Sequence, residues 1–208
     1  MIEWLFFDLG STLLDEEVAY RYYIKRCVKK LQLLGIEVSA PSYREKMKNF
    51  AQQNLDPIRS TWQYFAPTEP RPLWTNEGVS LYPETIDVLE KLSQNYRLGI
   101  VANQSSAARE LLKEWGLDLY FQVIILSEEV GIGKPEIRIF KLALEEAGIP
   151  ADKAVYVGDR YENDILPAKS LGMRTVRILT GFGKYTREND GWKSDYVVSS
   201  LQELLAIF

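Results

Sequence analysis

The sequence predicts an α/β protein: a mostly parallel sheet flanked by helices, with a second, mainly helical part inserted after the first strand. Three observations predict it. From about residue 82 onward, short β-branched runs alternate with amphipathic helical stretches, the pattern of successive βα units. One further strand-like run stands alone at the amino terminus and stops on an acid, Asp8. Between that strand and the rest lie about 65 residues of mainly helical character, far more than a routine connection needs.

"IEWLFFDLGSTLL", residues 2–14, reads as a buried strand ending at Asp8, then a turn through Leu9, Gly10, Ser11 and Thr12. In the insertion, Tyr20, Ile24, Cys27, Leu31 and Leu34 recur at helical spacing before Gly35, which suits a C-terminal stop. A second helical stretch follows near 41–54. "FAPTEPRPLW" (65–74) has three prolines in ten residues and suits a connector returning to the sheet. Beyond it, strands are expected at 98–101, 123–126, 154–158, 174–178 and 196–198. Helices are expected between them near 84–94, 105–115, 136–148 and 162–171, each tied to a Gly or Pro that marks an end. A last helix near 200–207 has Ser199 or Ser200 for an N-cap. The two parts are then 1–14 with 80–208, and 15–79.

Composition narrows the chemistry. The chain has 208 residues, long enough to bury a real core, and 46% of them are hydrophobic. A net charge of −4 gives no electrostatic reason to expect a nucleic-acid or acidic-membrane partner. The Tyr and Lys/Arg content of "YRYYIKRCVKK" (20–30) reads as a solvated helix face beside a packed one. With a single cysteine, Cys27, no internal disulfide forms; with no leader and no apolar run of spanning length, a cytoplasmic location is expected. Cys27 belongs to the apolar stripe and is expected to be a buried structural thiol. The chain contains no histidine, which removes Ser-His-Asp and Cys-His catalysis and every His-containing metal site. Chemistry is left to carboxylates, lysine, hydroxyls and backbone groups.

In open α/β sheets ligands collect beyond the carboxyl ends of the strands, so polar residues just after each strand belong together. Four places qualify: Asp8; the run Ala102, Asn103, Gln104, Ser105 and Ser106; Lys134 in "VGIGKPEIRIF"; and Asp159, Asn163 and Asp164 in "YVGDRYENDI". A carboxylate nucleophile, further carboxylates for a divalent cation, a lysine against concentrated negative charge and a hydroxyl-rich loop are what phosphoryl transfer through an aspartyl-phosphate needs. Oxygen-only ligation favours Mg²⁺. "GIGKP" is no P-loop, because Glu128 stands where the leading glycine is required and Pro135 where Ser or Thr should follow the lysine.

These motifs, in this order, resemble those of the haloacid dehalogenase superfamily over nearly the whole chain: "FFDLGSTLL" the first, "GIVANQ" the second, "GIGKPEIRIF" the third and "VYVGDRYENDILPAKSLGM" the fourth. The resemblance implies a Rossmann-like core with a small helical cap at 15–79, which closes over the pocket and sets specificity. It implies Asp8 as nucleophile, Lys134 as its cationic partner, and Mg²⁺ held by Asp8, Asp159 and the backbone carbonyl of Gly10, with Asp164 supporting the metal. It also exposes two departures. Gly10 stands where the family's phosphatases carry an aspartate that protonates the leaving alcohol and later activates water, and Ala102 where they carry a phosphate-holding Ser or Thr. Asn103, Gln104, Ser105 and Ser11 are the candidates left to hold phosphate.

Three readings follow. In the first, the protein is a Mg²⁺-dependent phosphohydrolase acting on a small phosphorylated metabolite whose leaving group needs little protonation. Gly10→Asp would then raise activity on alkyl phosphates. In the second it is a catalytically impaired binding or regulatory protein that keeps the anion and metal pocket. In the third it is a haloacid dehalogenase, disfavoured because those enzymes usually lack the counterpart of Asp159. Tyr20, Tyr22, Tyr23 or the Arg and Lys residues near them are the cap side chains expected to reach a substrate, and Trp62 and Trp74 belong either to the cap's own core or to a partner interface.

Overall fold

The computed structural model describes residues 1–208. Strand β1 (Trp4–Phe7) is followed by the short β2 (Leu14–Asp15), helices α1 (Glu17–Leu33), α2 (Ala40–Ala51) and α3 (Pro57–Phe65), and the short β3 (Ser80–Leu81), which pairs antiparallel with β2. Then come α4 (Thr85–Ser93), β4 (Arg97–Ala102), α5 (Ala108–Glu114), β5 (Phe121–Leu126), α6 (Ser127–Val130) and α7 (Ile137–Ala147). β6 (Ala154–Gly158), α8 (Leu166–Ser170), β7 (Arg174–Ile178) and β8 (Tyr196–Val198) complete the set. Six strands form one sheet in the order β5-β4-β1-β6-β7-β8, every neighbouring pair parallel. The chain winds outward from β1 in one direction through β4 and β5, then in the other through β6, β7 and β8. The switch point therefore lies between β1 and β6, where open α/β sheets bind ligands.

A sheet covered on both faces needs apolar residues at every strand position, which explains why "WLFF" and "AVYV" do not alternate. Leu5, Phe7, Val155, Val157 and Ile100 pack into one core with Val88 and Leu89 of α4 and Leu112 of α5. Trp4, Phe6, Ala154, Tyr156 and Val101 point the opposite way and pack with Ile139, Phe140 and Ala143 of α7. Gly99 of β4 lies opposite Phe6, and a Cβ there would come within 2.5 Å of the ring. Gly99→Ala is therefore expected to destabilise the fold by about 1–3 kcal/mol through overpacking, read as a lower urea midpoint at unchanged slope.

The three helices between β2 and β3 have a core of their own, in which Tyr23, Ile24, Cys27 and Leu31 of α1 meet Tyr43 and Met47 of α2 and Trp62 of α3. Trp62 is 2% exposed and its indole N–H donates to the Glu69 carbonyl at 2.7 Å, while Trp74 packs against Tyr20 and Tyr23. Trp62 is thus interior to the helical insertion, and the half-buried Trp74 packs against its surface. Leu34 is 41% exposed and falls outside the apolar stripe.

Several elements differ from the sequence expectation, among them the short β2, β3 and α6, which lie outside it. α3 lies outside the expected helices, although Asp56 caps it by accepting from the Arg59 N–H at 2.8 Å and Pro57 opens its first turn, both ordinary start signals. The helix expected over 162–171 is a π-helical turn at Tyr161–Ile165 running into the short α8. The final helix is a 3₁₀ segment, Leu201–Ala206; neither serine side chain caps it, and the Ser199 N–H instead donates to Glu203 at 3.1 Å.

Candidate active site

The first four turns beyond the sheet's carboxyl edge bring four charged groups together. Asp8 directly follows β1, Asp159 directly follows β6, Asp164 sits in the π-helical turn, and Lys134 lies on the loop between α6 and α7. The Lys134 ammonium donates to Asp164 at 2.6 Å, to Asp8 at 2.8 Å and to the Tyr156 hydroxyl at 2.9 Å. Its three protons are thereby spent. Lys134 cannot turn one toward a phosphoryl oxygen without giving up a partner, so it orients Asp8 and balances charge. Tyr156 passes the network on to the sheet, its hydroxyl donating to the Val101 carbonyl at 2.7 Å.

Burial sets the electrostatics. Lys134 is 6% exposed; desolvation alone would lower its pKa, yet Asp164 and Asp8 together hold it above the ordinary lysine value. Desolvation raises Asp8 to about 6, with Lys134 pulling it down and Asp164 pushing it up. Asp159, 3% exposed, is pushed well above the usual carboxylate range by burial, then by Asp164 and Asp8. It shares in neither of the Lys134 ion pairs.

One oxygen from each of Asp8, Asp159 and Asp164 lies within 4.8 Å of the others, a spacing that suits one hard cation. The three are not equivalent. Asp164 Oδ1 is bonded to Lys134, and its Oδ2 accepts from the Arg160 N–H at 2.9 Å, so it fastens the lysine and its own loop. Asp159 is the buried acid that lacks a bonded cation.

Of the four candidates for holding phosphate, Gln104 alone both lines the cleft and keeps its side chain free of other partners. Asn103 faces the cleft, but its carboxamide accepts from the Lys134 N–H at 2.7 Å and donates to the Lys134 carbonyl at 2.8 Å, so it seats the lysine loop. Ser11 donates to Glu16 at 2.9 Å. Ser105 lies in a neighbouring depression beyond the cleft, and Ser106 is tied to Glu128 at 2.9 Å. Gln104 lines both depressions.

The acids open into a cleft of about 610 Å³ between the sheet edge and the helical insertion. Tyr20, Arg59, Arg71 and Trp74 line it from the insertion, and Arg160 and Asn163 from the sheet side. Tyr23 is fully buried in the cap core and Tyr22 is 40% exposed, so Tyr20 is the tyrosine of that group that reaches the cleft.

Glu16 also lines the cleft, from the junction of β2 and α1. It does not cap α1; its carboxylate turns back toward Gly10, and a Cβ on Gly10 would stand 2.8 Å from Oε1. Burial raises this carboxyl to about 7, against the pull of the Ser11 hydrogen bond and with a push from Asp8 and Asp15. The rise in activity expected of Gly10→Asp therefore requires the Glu16 carboxylate to move aside. The new side chain would meet Glu16 at once and set two carboxylates against each other.

Tyr156, Glu16, Arg59 and Arg71 are not legible as site residues in the sequence. A tyrosine inside a fully buried strand is one available signal, because its hydroxyl must find a partner. For the other three the position depends on how the insertion folds back.

Comparison with known proteins identifies the family. Residues 5–178 match the family model described as haloacid dehalogenase-like hydrolase. A Methanocaldococcus jannaschii protein named glyceraldehyde 3-phosphate phosphatase is 34% identical, the match covering 100% of this chain and 97% of that one. A Pyrococcus abyssi protein of the same name is 30% identical, over 100% of this chain and 94% of its own. The crystal structure of a HAD phosphatase from Thermococcus onnurineus superposes with a TM-score of 0.71 at 30% identity, covering 99% of this chain and 97% of that one. No helix here is long and apolar enough to cross a membrane. The chain belongs to the haloacid dehalogenase-like hydrolases, among the family's phosphatases.

Proposed function

We propose that this hydrolase releases inorganic phosphate from a small phosphorylated metabolite by way of an aspartyl-phosphate on Asp8, with Mg²⁺ as cofactor. The observation that carries the reading is the buried Lys134 bonded to both Asp8 and Asp164 beside Asp159, an acid with no bonded cation, at the switch point of the sheet. Asp8 and Asp159 would hold the ion. When bound, it would offset the charge of the phosphoryl oxygens and of the acids around them. Lys134 fixes the orientation of Asp8 for in-line attack on phosphorus, which bears on the barrier because a positioned nucleophile has lost its freedom beforehand.

Residues 15–79 act as the cap in this proposal, and Tyr20, Arg59, Arg71 and the carboxamide of Gln104 contact the substrate. Two guanidinium groups over an acid-rich floor suit an anionic ligand that brings its own charge to the middle of the cleft. The relatives from Methanocaldococcus and Pyrococcus are named for glyceraldehyde 3-phosphate, a primary alkyl phosphate. We take the same class, phosphorylated trioses and related sugar phosphates, as the substrate here. This goes beyond the easily departing groups that Gly10 by itself would allow.

The test is phosphate release over a panel of sugar phosphates, nucleotides and acyl phosphates. Release from glyceraldehyde 3-phosphate, abolished by EDTA and restored by Mg²⁺, is the expected result. Absence of release from every member overturns the activity; release indifferent to EDTA overturns the cofactor.

A further inference from the structure

A primary alkoxide is a poor leaving group, so a phosphatase for alkyl phosphates needs an acid at the departing oxygen and a base for the incoming water. Residue 10 has no side chain to serve. Glu16 fills the space: its Oε1 lies 2.8 Å from where a Cβ on Gly10 would be, and its Oε2 is held by the Ser11 hydroxyl at 2.9 Å. The carboxylate lines the same cleft as Asp8 and Asp159. Its environment is built for it. Ser11 takes a left-handed backbone, φ 54°, uncommon for a residue with a Cβ, and from there it donates to Glu16 across a buried contact. No ion pair or helix cap accounts for Glu16 being there, since its carboxylate leaves the N-terminus of α1 uncapped.

We propose that Glu16 is the general acid and base of this hydrolase, supplying from the start of the cap the carboxyl that residue 10 lacks; the assignment rests on the phosphatase reading above. In the first step an Asp8 oxygen bonds to phosphorus as the ester P–O bond breaks, and the departing alkoxide takes the proton of the Glu16 carboxyl. In the second step the Glu16 carboxylate takes a proton from water, whose oxygen bonds to phosphorus as the P–O bond to Asp8 breaks. Phosphate leaves, Asp8 is again a carboxylate and Glu16 again holds its proton. Ser11 is a positioning residue that fixes the rotamer of Glu16.

Glu16→Gln keeps the volume and the oxygen that accepts from Ser11 while removing the exchangeable proton. On glyceraldehyde 3-phosphate with Mg²⁺, kcat/KM should fall ~10²–10⁴-fold. On 4-nitrophenyl phosphate, whose phenolate departs without help, the variant should release a rapid burst of about one nitrophenolate per enzyme and then stall at the aspartyl-phosphate. The double variant Gly10→Asp/Glu16→Ala returns a carboxyl to residue 10 in the space vacated, and should recover roughly tenfold or more over Glu16→Ala. Equal activity of Glu16→Gln and wild type on glyceraldehyde 3-phosphate would overturn the assignment. So would an equal fall on both substrates with no burst and no recovery in the double variant. If wild type turns over and Asp8→Asn does not while Glu16→Gln matches wild type, Glu16 alone is wrong. If wild type releases no phosphate from any ester, the phosphatase reading and the assignment fail together.

Discussion

Asp8→Asn is expected to abolish phosphate release from every substrate, leaving less than roughly 10⁻³ of the wild-type rate in freshly purified protein. The amide is close in shape and can still accept the Lys134 hydrogen bond that now reaches Asp8 at 2.8 Å. It lacks the charge that makes a carboxylate attack phosphorus. The same change takes one negative charge from a cluster in which Asp8, Asp159 and Asp164 crowd within 4.8 Å of one another. Thermal stability should therefore hold or rise, as it does when a strained active site is relieved. Loss of activity with an unchanged or higher Tm separates a missing nucleophile from a damaged fold. An Asp8→Asn protein that hydrolyses alkyl phosphates at the wild-type rate would remove Asp8 from the mechanism.

Lys134→Met should have the largest effect on stability. The methionine fills most of the volume but leaves Asp8 and Asp164 buried without the ammonium they share, and Tyr156 without its donor. Removing one partner of a buried ion pair costs about 3–5 kcal/mol. The deficit should depend on pH with a defined sign. Desolvation already raises Asp8 to about 6 with the lysine present, and without the lysine's pull Asp8 rises further. A carboxyl whose folded pKa exceeds its unfolded value binds more protons in the folded state, so its protonation favours the fold. That contribution is present in acid and is lost as pH climbs through the raised pKa. Urea unfolding should therefore show Lys134→Met far less stable than wild type at pH 8, with much of the gap closed near pH 5. Equal midpoints at pH 8 would mean that the triad holds nothing together.

The chemistry-bearing residues were legible because they occupy strand ends, and strand ends can be read from hydrophobic runs. "WLFF" before Asp8 and "AVYVG" before Asp159 are continuous apolar stretches that a sheet covered on both faces requires. Parallel topology then places their carboxyl ends on one edge whatever the details of the helices. Roles that depend on side-chain direction were not legible in the same way. Asn103, placed by sequence at the phosphate, spends both ends of its carboxamide on the Lys134 backbone. Asp164, expected to support the metal, does lie with Asp8 and Asp159, but that its oxygens also bond Lys134 and the Arg160 N–H was not readable.

What the sequence by itself determined is the parallel α/β core, the helical insertion and the set of acids and lysine at the sheet edge, because continuous apolar runs, a 3.6-residue period and the alternation of strand with helix are local patterns. Tertiary structure alone decided which hydrogen each polar group spends and on whom. It set the three partners of Lys134, spent the Ser11 hydroxyl on Glu16 and laid Glu16 against Gly10. Glu16 could not be paired with residue 10 from spacing, because no helix or strand repeat connects them; the intervening turn and the β2–β3 pairing that anchors it do. Contacts of that kind are fixed by how the chain packs against itself.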